Sequence, residues 1–224
     1  MELYEVMRST FAAREYTGEE IPDDILYDIL ENARFAPSGG NRQGNRVIIV
    51  RNSTKRKRIS ELAELAAKRY TAQVEAGESP WNTIVPSRVS PEKIEETEAL
   101  DLLIEPCSKA SVVLVFLVDL RVVASMDQNL DRIGIVSGAS IYPFVWNVLL
   151  SARQAGYGGT ITTLAIANEP KLKTLLDIPK NFGVCAVVPM GKPVKQLSKL
   201  SRRPVQEIAT YESFSGKAFD GSVS

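Results

Sequence analysis

Residues 133–155 constrain the fold of this chain more than any other segment. The stretch is long and apolar on most sides of a helix, and it contains Pro143 and small residues at positions 134 and 138–140. A helix that is apolar around most of its circumference has to be buried. In a domain of this size, the stretch therefore predicts a helix at the centre of the core or at a subunit interface.

Shorter apolar patterns predict the other elements. Pro22 and the acids after it are typical of a helix start, and apolar residues at helical spacing continue this helix to about Arg34. Residues 46–51, 112–118 and 184–188 are apolar runs typical of buried strands. Because strands and helices mix without strict alternation, the pattern favours an α+β fold over a doubly wound sheet.

Two further helices are predicted from possible caps. Ser53 is placed to cap one of them, and Asn168 is placed to cap the other, which should stop before Pro179. The expected core face of the first helix consists of Ile59, Leu62, Leu65 and Ala66.

Length predicts one domain, residues 1–224, with two irregular segments. At about 150 residues per domain, 224 residues are about one and a half domains' worth of chain. Residues 71–106 contain four prolines, Trp81 and many acids. A stretch of this kind is usually functional or disordered, and a lid over a site is favoured here over a structural excursion. The tail, residues 194–224, is too apolar for disorder and too sparse in apolar residues to fold alone.

The chain contains no histidine. This excludes a Ser-His-Asp or Cys-His nucleophile pair and an imidazole zinc site. Acid–base chemistry near pH 7 would then need shifted carboxylates or lysines, a tyrosine, or a cofactor that carries protons itself.

Charge and cysteine usage limit the partners and the compartment. The 27 basic and 27 acidic side chains cancel, which argues against a general binder of nucleic acid or of anionic membranes. Cys107 and Cys185 lack the CxxC spacing and are expected to be buried reduced thiols. Because the start of the chain lacks the apolar region of a signal peptide and no long apolar run is present, a cytoplasmic protein is predicted.

Glycine placement gives an open choice. No GxGxxG follows a strand and no GxxxxGK[ST] is present, so nucleotide-binding loops are not indicated. In Gly156-Tyr157-Gly158-Gly159-Thr160, the first glycine alone would satisfy a helix stop. Three glycines in four positions also suit a backbone that lies close to a flat ligand.

A polar loop and two sets of arginines can each be interpreted either as ordinary surface structure or as parts of a binding site. Residues 37–43 make an ordinary turn, but they also concentrate a hydroxyl, amides and a guanidinium around bare backbone. Arg8 and Arg14 near the start and Arg202 and Arg203 in the tail are each typical surface charges. If the two sets converged, they would form a phosphate clamp, because guanidinium groups bind phosphate oxygens bidentately.

Together these segments resemble the FMN-dependent nitroreductase family. The resemblance covers roughly residues 5–210 in the family's order, less clearly through residues 71–106. The motifs that carry it are Ala13-Arg14-Glu15-Tyr16, Ile21-Pro22, Ala36-Pro37-Ser38-Gly39-Gly40-Asn41-Arg42-Gln43, Val47-Ile48-Ile49-Val50, Asn147-Val148-Leu149-Leu150-Ser151-Ala152, Gly156-Tyr157-Gly158-Gly159-Thr160, Leu176-Asp177-Ile178-Pro179, Val188-Pro189-Met190-Gly191-Lys192-Pro193 and Arg202-Arg203-Pro204-Val205-Gln206-Glu207.

The resemblance implies an α+β sandwich with a central mixed sheet, assembled as a homodimer with FMN in two interface sites. The long apolar helix would form the dimer core, and the tail would wrap the partner. It further implies that NAD(P)H reduces the flavin, which then reduces nitroaromatic, quinone or activated-alkene substrates by ping-pong hydride transfer. A specialised enzyme, such as a reductive dehalogenase or a natural-product dehydrogenase, is the alternative, and a non-catalytic flavin-binding protein is a further one.

The same resemblance implies the site residues. Arg14 and Arg202 match basic residues at the FMN phosphate, and Arg203 assists. Residues 37–39 match a loop that packs on the flavin from the other subunit, and the backbone of residues 162–164 faces flavin N5. The residues assigned to the cofactor are Arg14, Pro37, Ser38, Gly39, Asn41, Gln43, Thr162, Thr163, Leu164, Arg202 and Arg203.

The chain departs from the family pattern in two places. Thr10-Phe11-Ala12 replaces a basic–basic–Ser run, so one phosphate contact is lost or comes from Arg8. Gln43-Gly44-Asn45 replaces Gln-Pro-Trp, which changes the pocket floor. Arg42 is the candidate for the pyrimidine edge of the flavin, and Trp81 is the candidate for substrate contact in the lid. No metal site is expected.

Overall fold

The fold is a sheet between two layers of helices, as described by a computed structural model for residues 1–221. The helices are α1 (Leu3–Ser9), α2 (Asp23–Ala33), α3 (Ser53–Glu75), α4 (Pro91–Glu96), α5 (Asp101–Lys109), α6 (Tyr142–Gln154) and α7 (Glu169–Leu176), and the strands are β1 (Asn45–Val50), β2 (Val112–Asp119), β3 (Gly158–Gly159) and β4 (Phe182–Gly191). Short 3-10 turns cover Gly39–Asn41, Val136–Ser140, Leu164–Asn168 and Val205–Glu207.

The sheet has the strand order β1-β2-β4-β3, and each neighbouring pair is antiparallel. The mixed sheet expected from the resemblance is therefore corrected for residues 1–221. The parallel pairing found there is the isolated bridge between Ala12 and Gly159, where the N-terminal segment lies beside β3. That segment is too short to form a strand of its own, so it adds one contact to the sheet edge.

Strand β2 is buried on both faces, which explains its uninterrupted apolar sequence. Leu114 and Phe116 pack against α2 and α6 on one face, and Phe116 meets Phe144 of α6 edge to face. Val113 and Val115 pack on the other face against α3, α5 and α7. Successive residues of a strand point to opposite faces, so a strand between two helix layers has to be apolar throughout.

The predicted long helix is shorter than residues 133–155. Residues 133–135 are irregular, the turn Val136–Ser140 follows, and α6 begins at Tyr142. Pro143 lies in the first turn of α6, where a missing N–H costs no hydrogen bond, and this explains the break. The core prediction is confirmed for Val145 and Val148, which are fully buried, whereas Trp146 on the same helix is 41% exposed.

Helix α3 differs from its prediction in its cap and its core face. Asn52, not Ser53, caps the helix by accepting a hydrogen bond from the Lys55 N–H. Leu65 is 57% exposed, although the other three predicted core residues are buried. Although α3 has 23 residues, no helix within residues 1–221 is long and apolar enough to cross a membrane.

Asn168 precedes α7 as predicted but does not cap it through its side chain. Its amide Nδ2 instead donates to the carbonyl oxygen of Leu62 at 2.9 Å, so it joins α7 to α3.

Residues 71–106 are helical over about half of their length. Residues 71–75 complete α3, Pro91–Glu96 form α4, and α5 begins at Asp101. Between α3 and α4, Glu78 links the two ends of the irregular segment. Its carboxylate accepts hydrogen bonds from the Ser87 hydroxyl and from the Arg88 N–H, both at 2.7 Å. The irregular parts of the expected lid are therefore residues 76–90 and 97–100.

The tail leaves the sheet beside the N-terminal segment. Val194 N–H donates to the carbonyl oxygen of Glu15 at 3.1 Å, and the Gln196 amide donates to that of Ser9 at 3.2 Å. Farther on, a bridge between Thr210 and Ala218 folds the tail onto itself. The last three positions of the predicted tail lie outside the described residues.

Candidate functional site

A cavity of about 1140 Å³ opens between the sheet and the helices of residues 53–109. We call it the large cavity. Its floor includes Val118 of β2 and residues 183–185 of β4, and residues 160–164 and 134–142 form two of its walls. Tyr70 of α3 and Leu102 of α5 close another side. A mostly apolar cavity of this size is typical of a site for a flat organic ligand.

The backbone of residues 160–164 presents an open donor beside the large cavity. Thr162 exchanges both backbone hydrogen bonds with Val187 of β4, each at 2.9 Å. The N–H of the next residue, Thr163, meets no acceptor within residues 1–221. Since Thr162, Thr163 and Leu164 all line the cavity, this wall can donate to a ring nitrogen of a bound ligand.

The glycines before this wall have an internal role. A Cβ on Gly159 would lie 2.7 Å from both Met190 Cγ and the Pro189 carbonyl oxygen. A Cβ on Gly158 would lie 3.0 Å from Pro193 Cγ. Gly156 has a φ of +84° and ends α6. The alternative, that these glycines let the backbone lie close to a flat ligand, is wrong for this turn. The atoms that crowd Gly158 and Gly159 belong to other segments of the same chain.

Hydrogen bonds within this chain hold the segment around Arg14 at the edge of the large cavity. The Ala13 N–H donates to the carbonyl oxygen of Gly159 at 3.1 Å. The Tyr16 hydroxyl donates to the carbonyl oxygens of Ala13 and Pro189, at 2.7 and 2.9 Å, and its burial raises the Tyr16 pKa. Arg14 itself is exposed and forms no ion pair within residues 1–221, so it is available to an anionic ligand.

The predicted loop of residues 37–43 does not line the large cavity. Its shape is nonetheless specific: Asn41 and Gln43 have φ values of 53° and 49°, which are uncommon for residues with a side chain. Ser38 Oγ accepts from the Gln43 N–H, and the Gly39 N–H donates to Ser140 Oγ, each at 2.9 Å. The loop is thereby fastened to the turn that precedes α6.

The remaining predicted contacts also lie outside the large cavity. The Arg42 guanidinium donates to the carbonyl oxygen of Val122 at 3.3 Å, and Pro37 lies near Arg42 in the loop described above. Arg202 donates to its neighbour Ser201, and Arg203 is exposed. Within one chain the structure thus brings Arg14, Trp81 and residues 162–164 together, but not residues 37–43 or the tail arginines.

Trp81 lines the large cavity, in an unusual backbone conformation with a φ of 54°. The backbone N–H of Trp81 donates to Gln73 Oε1 at 3.2 Å, and Gln73 is almost fully buried. The Arg69 guanidinium lies over the indole ring, 4.2 Å from the ring centroid. Sequence reasoning missed Gln73 and Arg69, although a polar residue on the buried side of α3 was a detectable signal.

The cysteines near the site are unreactive by environment. Both are free and buried, as predicted. Burial raises the pKa of each thiol to about 12, so neither is a thiolate at neutral pH. Cys185 and Cys107 both line the large cavity, where they contribute apolar surface.

Comparison with known proteins decides the family. The model of the nitroreductase family matches residues 7–192. The chain belongs to the nitroreductase family. An iodotyrosine deiodinase of Nematostella vectensis is 24% identical over 209 residues, which is 92% of this chain and 74% of that protein. An FMN reductase [NAD(P)H] of Bacillus subtilis (strain 168) is 24% identical over 202 residues, which is 90% of this chain and 70% of that protein.

Solved structures show the nitroreductase fold. An oxidised iodotyrosine deiodinase bound to FMN and 3-iodo-L-tyrosine superposes with a TM-score of 0.69 at 20% identity, covering 95% of this chain and all of that one. An NADPH:FMN oxidoreductase from Vibrio harveyi in complex with NAD⁺ gives a TM-score of 0.67 at 17% identity, covering 95% of this chain and 78% of that one. The α+β nitroreductase fold predicted from the sequence is thus confirmed, apart from the mixed sheet corrected above.

Proposed function

We propose that this nitroreductase-family chain is an FMN-dependent oxidoreductase that uses NAD(P)H to reduce nitroaromatic, quinone or activated-alkene substrates. The observation that carries the proposal is the large cavity, which is mostly apolar and which, as far as residues 1–221 show, has an open backbone donor at Thr163 and a cation without an ion-pair partner at Arg14. A flavin mononucleotide has matching parts: a flat ring with polar nitrogens and a phosphate. Relatives with FMN in their names or structures support the choice.

When bound, FMN would supply the hydride chemistry that links NAD(P)H to a flat electrophile. The chain's own residues bind and orient. Arg14 neutralises phosphate charge, and the backbone of residues 162–164 donates toward the ring edge, where a fixed donor stabilises developing negative charge. Apolar residues such as Leu102 and Ile141 exclude water from the face where the substrate stacks.

We further propose that the site is completed by a second copy of the chain. The loop of residues 37–43 and the arginines at 202 and 203 would reach the partner's cavity, which accounts for their position outside their own. Exposed apolar residues support this, because Trp146 of α6 is 41% exposed and Phe214 of the tail is fully exposed. Light scattering on the purified protein should give twice the mass of 24.6 kDa.

An absorbance spectrum tests the cofactor and the half-reaction together. The purified protein should be yellow and should bleach anaerobically with NADPH or NADH. Arg14→Ala and Arg202→Ala should each lower FMN affinity about tenfold, the lower range for a hydrogen bond to a charged group. Arg46→Ala is the control, because Arg46 lies on β1 outside the large cavity and is not among the residues assigned to the cofactor. A colourless protein that takes up no FMN would refute the proposal.

Reductive dehalogenation is the second candidate function, because several relatives are iodotyrosine deiodinases. The two functions share the cofactor and differ in product. Product analysis with a halotyrosine and with a nitroaromatic, each supplied with reduced flavin enzyme, separates them. Release of halide from the first, without reduction of the second, would favour dehalogenation.

A further inference from the structure

A second cavity, of about 730 Å³, lies beside the large one. We call it the side cavity. It is formed by α3, α4 and the loop before α4, and Ala66, Trp81 and Ala167 line both cavities. The indole of Trp81 therefore stands between them. Whatever stacks in the large cavity has the side cavity as its immediate neighbour.

Arg69 gives the side cavity its chemistry. Its Nε is buried and has no hydrogen-bond partner within residues 1–221, and the side chain forms no ion pair there. The indole ring of Trp81 covers one face of the guanidinium and restricts its movement. A buried donor without an acceptor is costly, and the cost is larger for a charged group. Because Arg69 lines the side cavity and has no acidic partner within the described residues, its guanidinium is available to an anion with two in-plane oxygens.

The surrounding charges narrow the kind of anion. Glu92 and Glu95 also line the side cavity, but neither forms an ion pair with Arg69 within the described residues. Both are exposed, and the Glu92 carboxylate accepts from its own N–H and from the Ser90 hydroxyl, which lower its pKa. Two nearby carboxylates disfavour a doubly charged phosphate more than a single carboxylate. The cavity therefore suits a compact monoanion placed against Arg69.

We propose that Arg69 is a specificity-determining residue that binds the carboxylate of the substrate, so that the enzyme prefers flat electrophiles carrying an acidic side arm. The inference rests on the proposed function, since it assumes that the flat part of the substrate lies in the large cavity. The acidic arm passes Trp81 and reaches the guanidinium in the side cavity.

A pair of substrates that differ in one charge tests this proposal. The two substrates are 4-nitrophenylacetate, the anion of 4-nitrophenylacetic acid, and the amide of the same acid, 4-nitrophenylacetamide. In both, a methylene group separates the substituent from the ring, so their nitro groups have similar reactivity. Wild-type enzyme should show the lower KM for the acid. Arg69→Gln should raise the KM for the acid about tenfold or more and leave the KM for the amide and kcat for both nearly unchanged. Arg69→Lys should restore part of the preference.

The control variant is Arg56→Gln. Arg56 lies on the same helix and also has a buried Nε without a partner, but it lines neither cavity. It should leave both KM values unchanged. A parallel rise for acid and amide in Arg69→Gln would show that Arg69 is only part of the wall and would overturn the proposal. A rise in the KM for NADPH with no change for the acid would assign the anion site to the co-substrate and would equally overturn it.

Calorimetry separates this failure from failure of the proposed function. Binding of 4-nitrophenylacetate to the purified protein requires no turnover, and it should weaken about tenfold in Arg69→Gln but not in Arg56→Gln. If the protein holds no flavin yet shows this difference, the carboxylate site stands and the reductase proposal fails. If flavin is bound and reduced but both variants bind the acid as the wild type does, the carboxylate site fails alone.

Discussion

Replacing Gly159 by alanine should destabilise the fold, because the structure leaves no space for a methyl group there. The new Cβ would lie 2.7 Å from Met190 Cγ and 2.7 Å from the Pro189 carbonyl oxygen. The methionine can move, but the carbonyl belongs to β4 and moves only with the strand. Overpacking of this kind costs about 1–3 kcal/mol, which for a chain of this size lowers Tm by roughly 2–12 °C.

Gly134→Ala is the matched control. Its Cβ would meet Asp127 Oδ1 at 3.5 Å, an ordinary contact, and Gly134 does not need a positive φ. Both substitutions restrict the unfolded chain equally, so the difference between them isolates the clash. Urea unfolding followed by circular dichroism gives the two free energies of unfolding. Agreement of the two variants within about 0.5 kcal/mol, the usual range for harmless substitutions, would refute the packing argument.

Other predictions concern charge, thiols and the lid. The N–H of Ile135 and the Arg132 guanidinium lower the pKa of Asp127 to about 2, so its stabilising effect is present above the unfolded value and is lost between about pH 4 and pH 2. Asp127→Asn should flatten the acid limb of a urea-unfolding series, and parallel curves would contradict this. The Cys107 thiol should resist a disulfide reagent at pH 8 until urea is added; equal rates in both would disprove its burial. Trp81→Ala should change the ratio of the kcat/KM values for large and small substrates while bound FMN is retained. An unchanged ratio would contradict a lid role for Trp81.

Local sequence patterns were sufficient for the central strands and for several core helices, but not for α5, which lies largely in the segment expected to be a lid. The unbroken apolar run at β2 predicted a strand covered on both faces, and Val113 and Leu114 indeed pack on opposite helix layers. Pro22 and the acids that follow it predicted the start of α2 within one or two residues. Each of these features depends on neighbours in the chain, whose periodicity is readable without knowledge of the fold.

Patterns failed where distant segments compete for the same group. Asn168 is a good capping residue, but its amide donates to Leu62 on α3 instead. Leu65 has the spacing of a core residue, yet it lies over the side cavity instead of the core. Such outcomes depend on which helix packs against which, and a hydrogen bond or a contact across 100 residues leaves no periodic trace in either segment.

The sequence by itself predicted the nitroreductase-family fold and the buried strands, and Arg14, which the resemblance assigns to the cofactor, lies at the edge of the large cavity. Tertiary structure alone decided that Thr163 has an open donor, that Gly158 and Gly159 serve internal packing, and that Arg69 stacks on Trp81 beside a second cavity. The reason is physical: apolar periodicity and turn chemistry act over a few residues, whereas a donor's partner or a cavity's lining is set by chain segments that meet only after folding.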